Sequence, residues 1–151
     1  MSISVTTTPD LVPLVARWLW DAFWRHTDKS PDRLLDAVRR SVSERPMPRT
    51  FILLVGSEPV GTASLVAHDL DDRPELTPWL AGVFVVRHAR GQGHAARLVT
   101  EVEAHARSVS IATLWLYTNT AERLYARLGW RTAETIRHNG KPFALMRREL
   151  S

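Results

Sequence analysis

Val83-Phe84-Val85-Val86-Arg87-His88-Ala89-Arg90-Gly91-Gln92-Gly93-His94-Ala95-Ala96 is the stretch on which the reading of this chain turns. A run of β-branched and aromatic residues, suited to a buried strand, leads into a glycine-rich turn. The turn opens directly into a helix. The first N–H groups of a helix have no partner inside it, and the macrodipole favours negative charge at that end. Glycines let the backbone approach a ligand closely. Strand, glycine turn and helix together therefore describe an anion site, with phosphate as its natural occupant.

Downstream of this segment, Gly93 to Arg107 carries Leu98, Val102 and Ala106 on one helical stripe. Ile111 to Tyr117 reads as a second buried strand, and Thr120 to Leu128 as a short helix stopped by Gly129. Two last strands, Thr132 to Arg137 and Phe143 to Leu150, flank Asn139-Gly140, a strong hairpin signal. Upstream, Leu80 to Val86 is a strand preceded by an acidic, proline-punctuated loop, Asp69 to Pro78. Phe51 to Val55 and Val60 to Ala67 form a hairpin about Gly56-Ser57-Glu58-Pro59. Near the start, Ile3 to Thr7 alternates as a first strand, and Asp10 is placed to cap a helix carrying Leu11, Leu14, Val15, Trp18 and Leu19. Ser30-Pro31 opens another helix through Leu34, Leu35 and Val38, which Arg45-Pro46-Met47-Pro48 ends. The order β-α-α-β-β-β-α-β-α-β-β predicts an α/β fold of the α+β kind, a mixed sheet with helices on its faces. With 151 residues and no repeat or linker, it predicts one domain over 1–151.

Composition removes several function classes. Apolar residues at 44% and charged residues at 24% suit a packed core and not a disordered chain. The absence of cysteine excludes disulfide scaffolds, thiolate metal sites and a cysteine nucleophile. No His/Asp/Glu group has metal-ligand spacing, so no metal is expected. The longest apolar run, Trp79 to Val86, is too short for a bilayer, and Met1 to Asp10 lacks the order of a signal peptide. A cytoplasmic, non-membrane protein is expected. The net charge of +4 comes from arginines scattered along the chain, without the clustered basic stripe of a nucleic-acid module.

Gly91-x-Gly93-x-x-Ala96 meets a loose dinucleotide fingerprint, G-x-G-x-x-G/A. That reading needs an acidic residue about 20 positions on to hold a ribose, and the next strand ends in Tyr117-Thr118-Asn119. A tight turn with no ligand is the other reading. Arg90-Gly91-Gln92-Gly93-His94-Ala95 also resembles the R/Q-x-x-G-x-G/A signature of the GNAT N-acetyltransferase superfamily. Family members place this signature after the fourth strand and at the start of the third helix, as here. Glu122-Arg123-Leu124-Tyr125-Ala126-Arg127-Leu128-Gly129-Trp130 is similar to the family's tyrosine-bearing helix with its Leu-Gly-aromatic ending. The resemblance covers roughly Phe51 to Leu150, and Pro74-Glu75-Leu76-Thr77-Pro78-Trp79-Leu80 resembles one bacterial subgroup.

The resemblance implies a fold, a co-substrate and a set of roles. Acetyl-coenzyme A is expected, its diphosphate on the backbone of Arg90, Gly91, Gln92, Gly93, His94 and Ala95. Its pantetheine arm should pair with Val83, Phe84 and Val85 where the fourth strand splays from the fifth. Asn119 either contacts the cofactor or caps a helix with Glu122 at the third position. Tyr125 is the candidate general acid for the departing thiolate; its alternative is plain packing with Ala121, Leu124 and Leu128. Glu75 is the first candidate for the base, among Asp72, Asp69, His68 and His138, and an exposed acidic loop is the other reading. Trp79, Trp24 and Trp20 either line the acceptor pocket or belong to the core. The acceptor expected is a primary amine on a small molecule or a peptide, and the family resemblance allows a homodimer. A protein of this fold that binds acyl-CoA as a sensor, without turnover, is the alternative.

Overall fold

A seven-stranded sheet orders its strands β1-β2-β3-β4-β5-β7-β6 in the computed structural model, which describes residues 2–151. The strands are β1 (Ile3–Thr6), β2 (Arg49–Val55), β3 (Glu58–Val66), β4 (Trp79–Val85), β5 (Thr113–Thr118), β6 (Arg131–His138) and β7 (Lys141–Glu149). The helices are α1 (Val12–Leu19), α2 (Pro31–Ser41), α3 (His94–Ser108) and α4 (Glu122–Arg127). The element order is the one the sequence predicts, with boundaries shifted by a few residues. All neighbouring strands run antiparallel except β4 and β5.

One stripe of α3, Leu98, Val99, Val102 and Ala106, packs with Leu53, Val60, Leu65, Leu80, Leu114 and Leu116 from the strands, forming the main core on one face. The other face is covered in two parts. Val12, Val15 and Leu19 of α1 and Leu34 and Val38 of α2 close over Ile52. Beyond them, Leu70 joins Trp79 and Leu145 in a third apolar cluster to which no helix contributes. The long β3–β4 loop, not a helix, shields that part of the sheet. A bidentate ion pair anchors it, Arg73 donating from two nitrogens to Glu134 of β6 at 2.9 and 2.6 Å. That pairing holds the Glu134 carboxyl below the usual carboxylate range.

Two local expectations are corrected, the Asp10 cap and the end of the second helix, and the first helix shows a turn of different winding. Asp10 caps no helix, because it lies in a 3₁₀ turn (Pro9–Leu11) ahead of α1, whose cap position is Leu11. α1 does not stop at Leu19 but continues through a π-helical turn, Trp20–Trp24, of the kind that widens a helix near functional sites. Helix α2 ends at Ser41, four residues before the Arg45-Pro46-Met47-Pro48 segment. Its start follows the expectation, with Ser30 Oγ accepting from the Arg33 amide at 3.2 Å.

Candidate active site

The parallel pair at the centre of the sheet is barely a pair. β4 and β5 meet in register only at Trp79 and Trp115, where the Trp115 amide donates to Pro78 O at 3.1 Å. Past that point the strands part. A bulge in β4 drives the separation: Ser64 of β3 faces Ala81 and Thr62 faces Phe84, so Gly82 and Val83 together oppose one residue. Gly82 sits at φ +63°, the left-handed conformation that a glycine bulge requires. A Cβ there would meet Leu19 Cδ2 at 3.3 Å, so α1 also packs close against the bulge. A lone glycine inside an apolar strand run was the available sequence signal for this feature.

The consequence is an open strand edge in the middle of the sheet. Ala81 to Phe84 are half-buried, although Leu80 to Val86 reads in sequence as a fully buried strand. The Val86 amide donates to Val60 O at 2.8 Å, so the next pair, Val85 with Gly61, turns its backbone groups away from β3. The Val85 amide therefore points into the gap. Arg90 folds back over this edge, its Nε donating to Val85 O at 2.8 Å and its guanidinium 5.8 Å from the Phe84 ring.

The glycine turn lies at the same end of β4. Gly91 and Gly93 adopt φ +78° and +83°, and a Cβ on either would find no atom within 4 Å. Gly93 is the cap residue of α3, and its carbonyl accepts the first helical bond from Arg97. From Gly91 to Ala96, no backbone amide has an acceptor among the described residues. Six successive N–H groups without an acceptor thus lie at the mouth of a 15-residue helix. His94 tucks its side chain into the protein, while Gln92 stays exposed. This cradle fits a diphosphate: donors are present, carboxylates are absent, and side chains are out of the way.

Tyr125 stands on α4 with its ring in the main core, edge-on to Trp130 at 6.1 Å. Burial pushes its phenol up to about 12, so it keeps its proton throughout the neutral range. Its hydroxyl has no hydrogen-bond partner among the described residues and is not fully enclosed. A polar knot fixes the platform beneath. Trp130 Nε1 donates at 3.0 Å to Glu103 of α3, whose side chain is only 8% exposed and lies 3.6 Å from Arg148 Nε. Arg148 Nη1 in turn donates to Gly129 O at 3.0 Å. Glu103→Ala leaves the indole N–H without its acceptor and removes the carboxylate that faces Arg148, a loss of about 2–3 kcal/mol once solvent access to Arg148 is allowed for. A melting temperature lower by roughly 5–10 °C is the expected result in a thermal scan; a shift under 2 °C would remove the knot from the stability account.

Asn119 does not cap α4. Thr118 Oγ1 takes the Ala121 amide at 3.0 Å, and Asn119 Nδ2 instead donates to Pro142 O of β7 at 2.7 Å. The helix is also shorter than expected, so Glu122 is its first residue and not its third. Asn119 remains exposed beside the gap.

On the opposite face, the acidic candidates separate by depth. Glu75 and Asp72 lie exposed on the β3–β4 loop, where both raise the Arg73 guanidinium. His68 is exposed as well. Asp69 differs. It is exposed by surface area, yet the protein atoms crowded around its carboxyl desolvate it and push it up to about 6. Lys29 pulls it down in part, and Asp71 adds to the rise. The Tyr117 hydroxyl is 3.5 Å from Asp69 O, and burial followed by the Asp69 and Asp71 charges pushes that phenol well above its ordinary value. His138 packs on Tyr117 at 5.2 Å. Trp79 is fully buried, its Nε1 donating to Leu76 O at 2.7 Å, so it is core and lines no pocket. Trp20 and Trp24 are half-buried near the end of the first helix. Among the described residues no group of three His, Asp or Glu side chains is placed to hold a metal, and no helix is long and apolar enough to cross a membrane.

The family model described as the acetyltransferase (GNAT) family matches residues 12–130. The chain belongs to the GNAT acetyltransferase family. Solved structures agree on the fold over the whole chain. An N-acetyltransferase from Staphylococcus aureus Mu50 superposes with a TM-score of 0.81 at 14% identity, covering 100% of both chains. The Salmonella typhimurium protein yncA, solved with its cofactor acetyl-CoA, gives 0.79 at 13% identity over 100% of this chain and 95% of its own. N-acetylglutamate synthase from Neisseria gonorrhoeae, complexed with coenzyme A and L-arginine, gives 0.71 at 17% identity over 97% of this chain and 33% of its own. No curated protein matches the sequence significantly. Within this GNAT chain, the glycine turn, the β4 gap and Tyr125 occupy one side of the sheet centre and Asp69 the other.

Proposed function

We propose that this protein, as one domain over 1–151, is an N-acetyltransferase that moves acetyl from acetyl-CoA to a primary amine by direct attack. The observation that carries the reading is the set of six unpartnered amides, Gly91 to Ala96, beside the open edge of β4. Family membership, and the acetyl-CoA and coenzyme A held by the relatives named above, support the same co-substrate.

In this mechanism the α3 amides hold the diphosphate, and the pantetheine arm adds to β4 like a short strand, using the Val85 amide among its partners. A donor in the Gly82–Val83 bulge polarises the thioester carbonyl and stabilises the oxyanion formed on attack. The acceptor ammonium first gives a proton to a base. We assign that role to Asp69, with Glu75 as the exposed alternative, because a carboxyl near 6 matches the working pH better than an ordinary one. The amine nitrogen then bonds to the carbonyl carbon, the C–S bond breaks, the thiolate takes the Tyr125 proton, and the second proton shed by the new amide nitrogen restores the phenol. Free thiolate is less basic than this phenol. In the dry gap the thiolate is desolvated too, which raises its proton affinity toward that of Tyr125. The net reaction yields amide, free thiol and one proton to solvent.

A thermal-shift panel tests the co-substrate directly. Acetyl-CoA at about 100 times its Kd adds roughly 2.7 kcal/mol, a rise of about 5–10 °C for a domain of this size. Stabilisation by NAD and none by acetyl-CoA overturns the proposal.

A pH prediction follows from Asp69. As a base it works only when ionised, and its pKa is raised, so kcat/KM rises with pH through about 6 and falls away below it. Asp69→Asn abolishes that ascending limb and lowers the plateau about 100-fold. A variant that keeps the limb near 6 returns the role to Glu75 or to water.

A further inference from the structure

Resting on that acetyltransferase reading, we infer that Leu19, the last residue of α1, sets the acyl length this protein accepts, admitting acetyl and shutting out butyryl and longer chains.

On that reading the thioester carbonyl takes its donor from the Gly82–Val83 bulge, and the pantetheine arm fills the gap toward the glycine turn. The acyl tail therefore points the other way along β4, toward the Trp79–Trp115 pair. There the Trp115 amide and Pro78 O close the sheet at 3.1 Å. One face of the gap is the main core. Leu80 and Leu116, from the two bordering strands, are buried in it, and Val83 packs against it. Neither boundary yields to a longer chain without breaking ladder bonds or opening a close-packed interior.

The other face is covered by α1, whose last two residues lie over β4. Trp18 sets its ring 5.6 Å from Phe84. Leu19 brings Cδ2 to 3.3 Å and Cδ1 to 4.0 Å from the point where a Cβ on Gly82 would stand, and no other side chain comes within 4 Å of it. The missing side chain of Gly82 is thus replaced by the isobutyl end of Leu19. That end is buried and held in the cluster of Val15, Leu34 and Val38, so it is a fixed wall.

Chain length decides what fits. Acetyl carries one carbon past the carbonyl carbon, about 1.5 Å away. Butyryl carries three, reaching about 4 Å, and has to bend out of the plane of the sheet. The core and the closed end leave it the α1 face, where Leu19 stands. Leu19→Ala removes three carbons from that point, room for the two that butyryl adds.

The test needs no acceptor. Calorimetric titration measures Kd for free CoA, acetyl-CoA, butyryl-CoA and hexanoyl-CoA on the wild type, Leu19→Ala and Leu19→Val. Wild type should bind acetyl-CoA at least tenfold more tightly than butyryl-CoA or hexanoyl-CoA. In Leu19→Ala, butyryl-CoA should bind at least as tightly as acetyl-CoA, since each methylene received by apolar space is worth about fourfold in Kd. Leu19→Val, one carbon shorter than leucine, should fall between. Free CoA carries no acyl group and should bind all three proteins within about threefold, which shows that the variants fold. A smaller wild-type margin overturns the inference. So does a margin that survives in Leu19→Ala, because the longer chain is then excluded by something else. Loss of free CoA binding in both variants overturns it as well, making Leu19 a support of the fold and not a gate. Each of these leaves the co-substrate reading standing while wild type binds acetyl-CoA; a wild type that binds neither CoA nor acetyl-CoA removes both.

Discussion

Tyr125→Phe is expected to lower kcat by about 10²–10³-fold, the usual worth of one positioned general acid. The KM for acetyl-CoA should stay within about twofold, because the phenol sits among core side chains and not at the glycine turn. Stability separates this from a packing defect. The hydroxyl has no partner among the described residues, and phenylalanine keeps the ring against Trp130, so the melting temperature should hold or rise slightly. Since burial keeps the phenol protonated up to about 12, the wild-type profile should show no descending limb from Tyr125 below pH 10. Wild-type turnover in the phenylalanine variant would leave Tyr125 as packing alone.

Gly93→Val should act in the opposite way, on binding. Gly93 holds φ +83°, a region that costs an ordinary L-residue about 1–2 kcal/mol and a β-branched one more. No protein atom lies within 4 Å of the added Cβ, so nothing in the free protein clashes with it. The side chain would project into the space in front of the free amides. A rise in the KM for acetyl-CoA of about 100-fold or more is expected, with kcat at saturation less affected and a melting loss of only a few degrees. Calorimetric titration reads the same loss as a weaker Kd. Wild-type affinity in this variant would mean that the diphosphate binds elsewhere.

Most of the fold was legible because its elements carry their own periodicity. Leu98, Val102 and Ala106 mark one face of α3, and Asn139-Gly140 marks the last hairpin. The π-helical turn at Trp20–Trp24 was not legible, since an apolar helical stripe looks the same in either winding. Cap assignments failed where neighbours competed: Asp10 precedes a 3₁₀ turn, and Thr118 took the amide that Asn119 was placed to hold. The glycine turn announced itself through composition. Its neighbour, the open edge of β4, depended on a bulge opposite Ala63, and pairing between distant strands is not written in either one alone. The acid candidates were visible only as a loop rich in carboxylates. What distinguishes Asp69 from Glu75 is the crowding around its carboxyl, which raises its titration while Lys29, from elsewhere in the chain, draws it partly down. The Glu103 knot joins α3, Trp130 and Arg148 over long sequence separations and left no local signal at all.

A crystal structure with acetyl-CoA bound would locate the diphosphate itself. Diphosphate oxygens should lie about 2.7–3.1 Å from amides within Gly91 to Ala96, and the pantetheine arm should pair with β4 in the gap toward β5. A glycine turn left empty, or coenzyme A seated on another face of the sheet, rules out the α3 amides as the diphosphate site and takes the roles of Tyr125 and Asp69 with it.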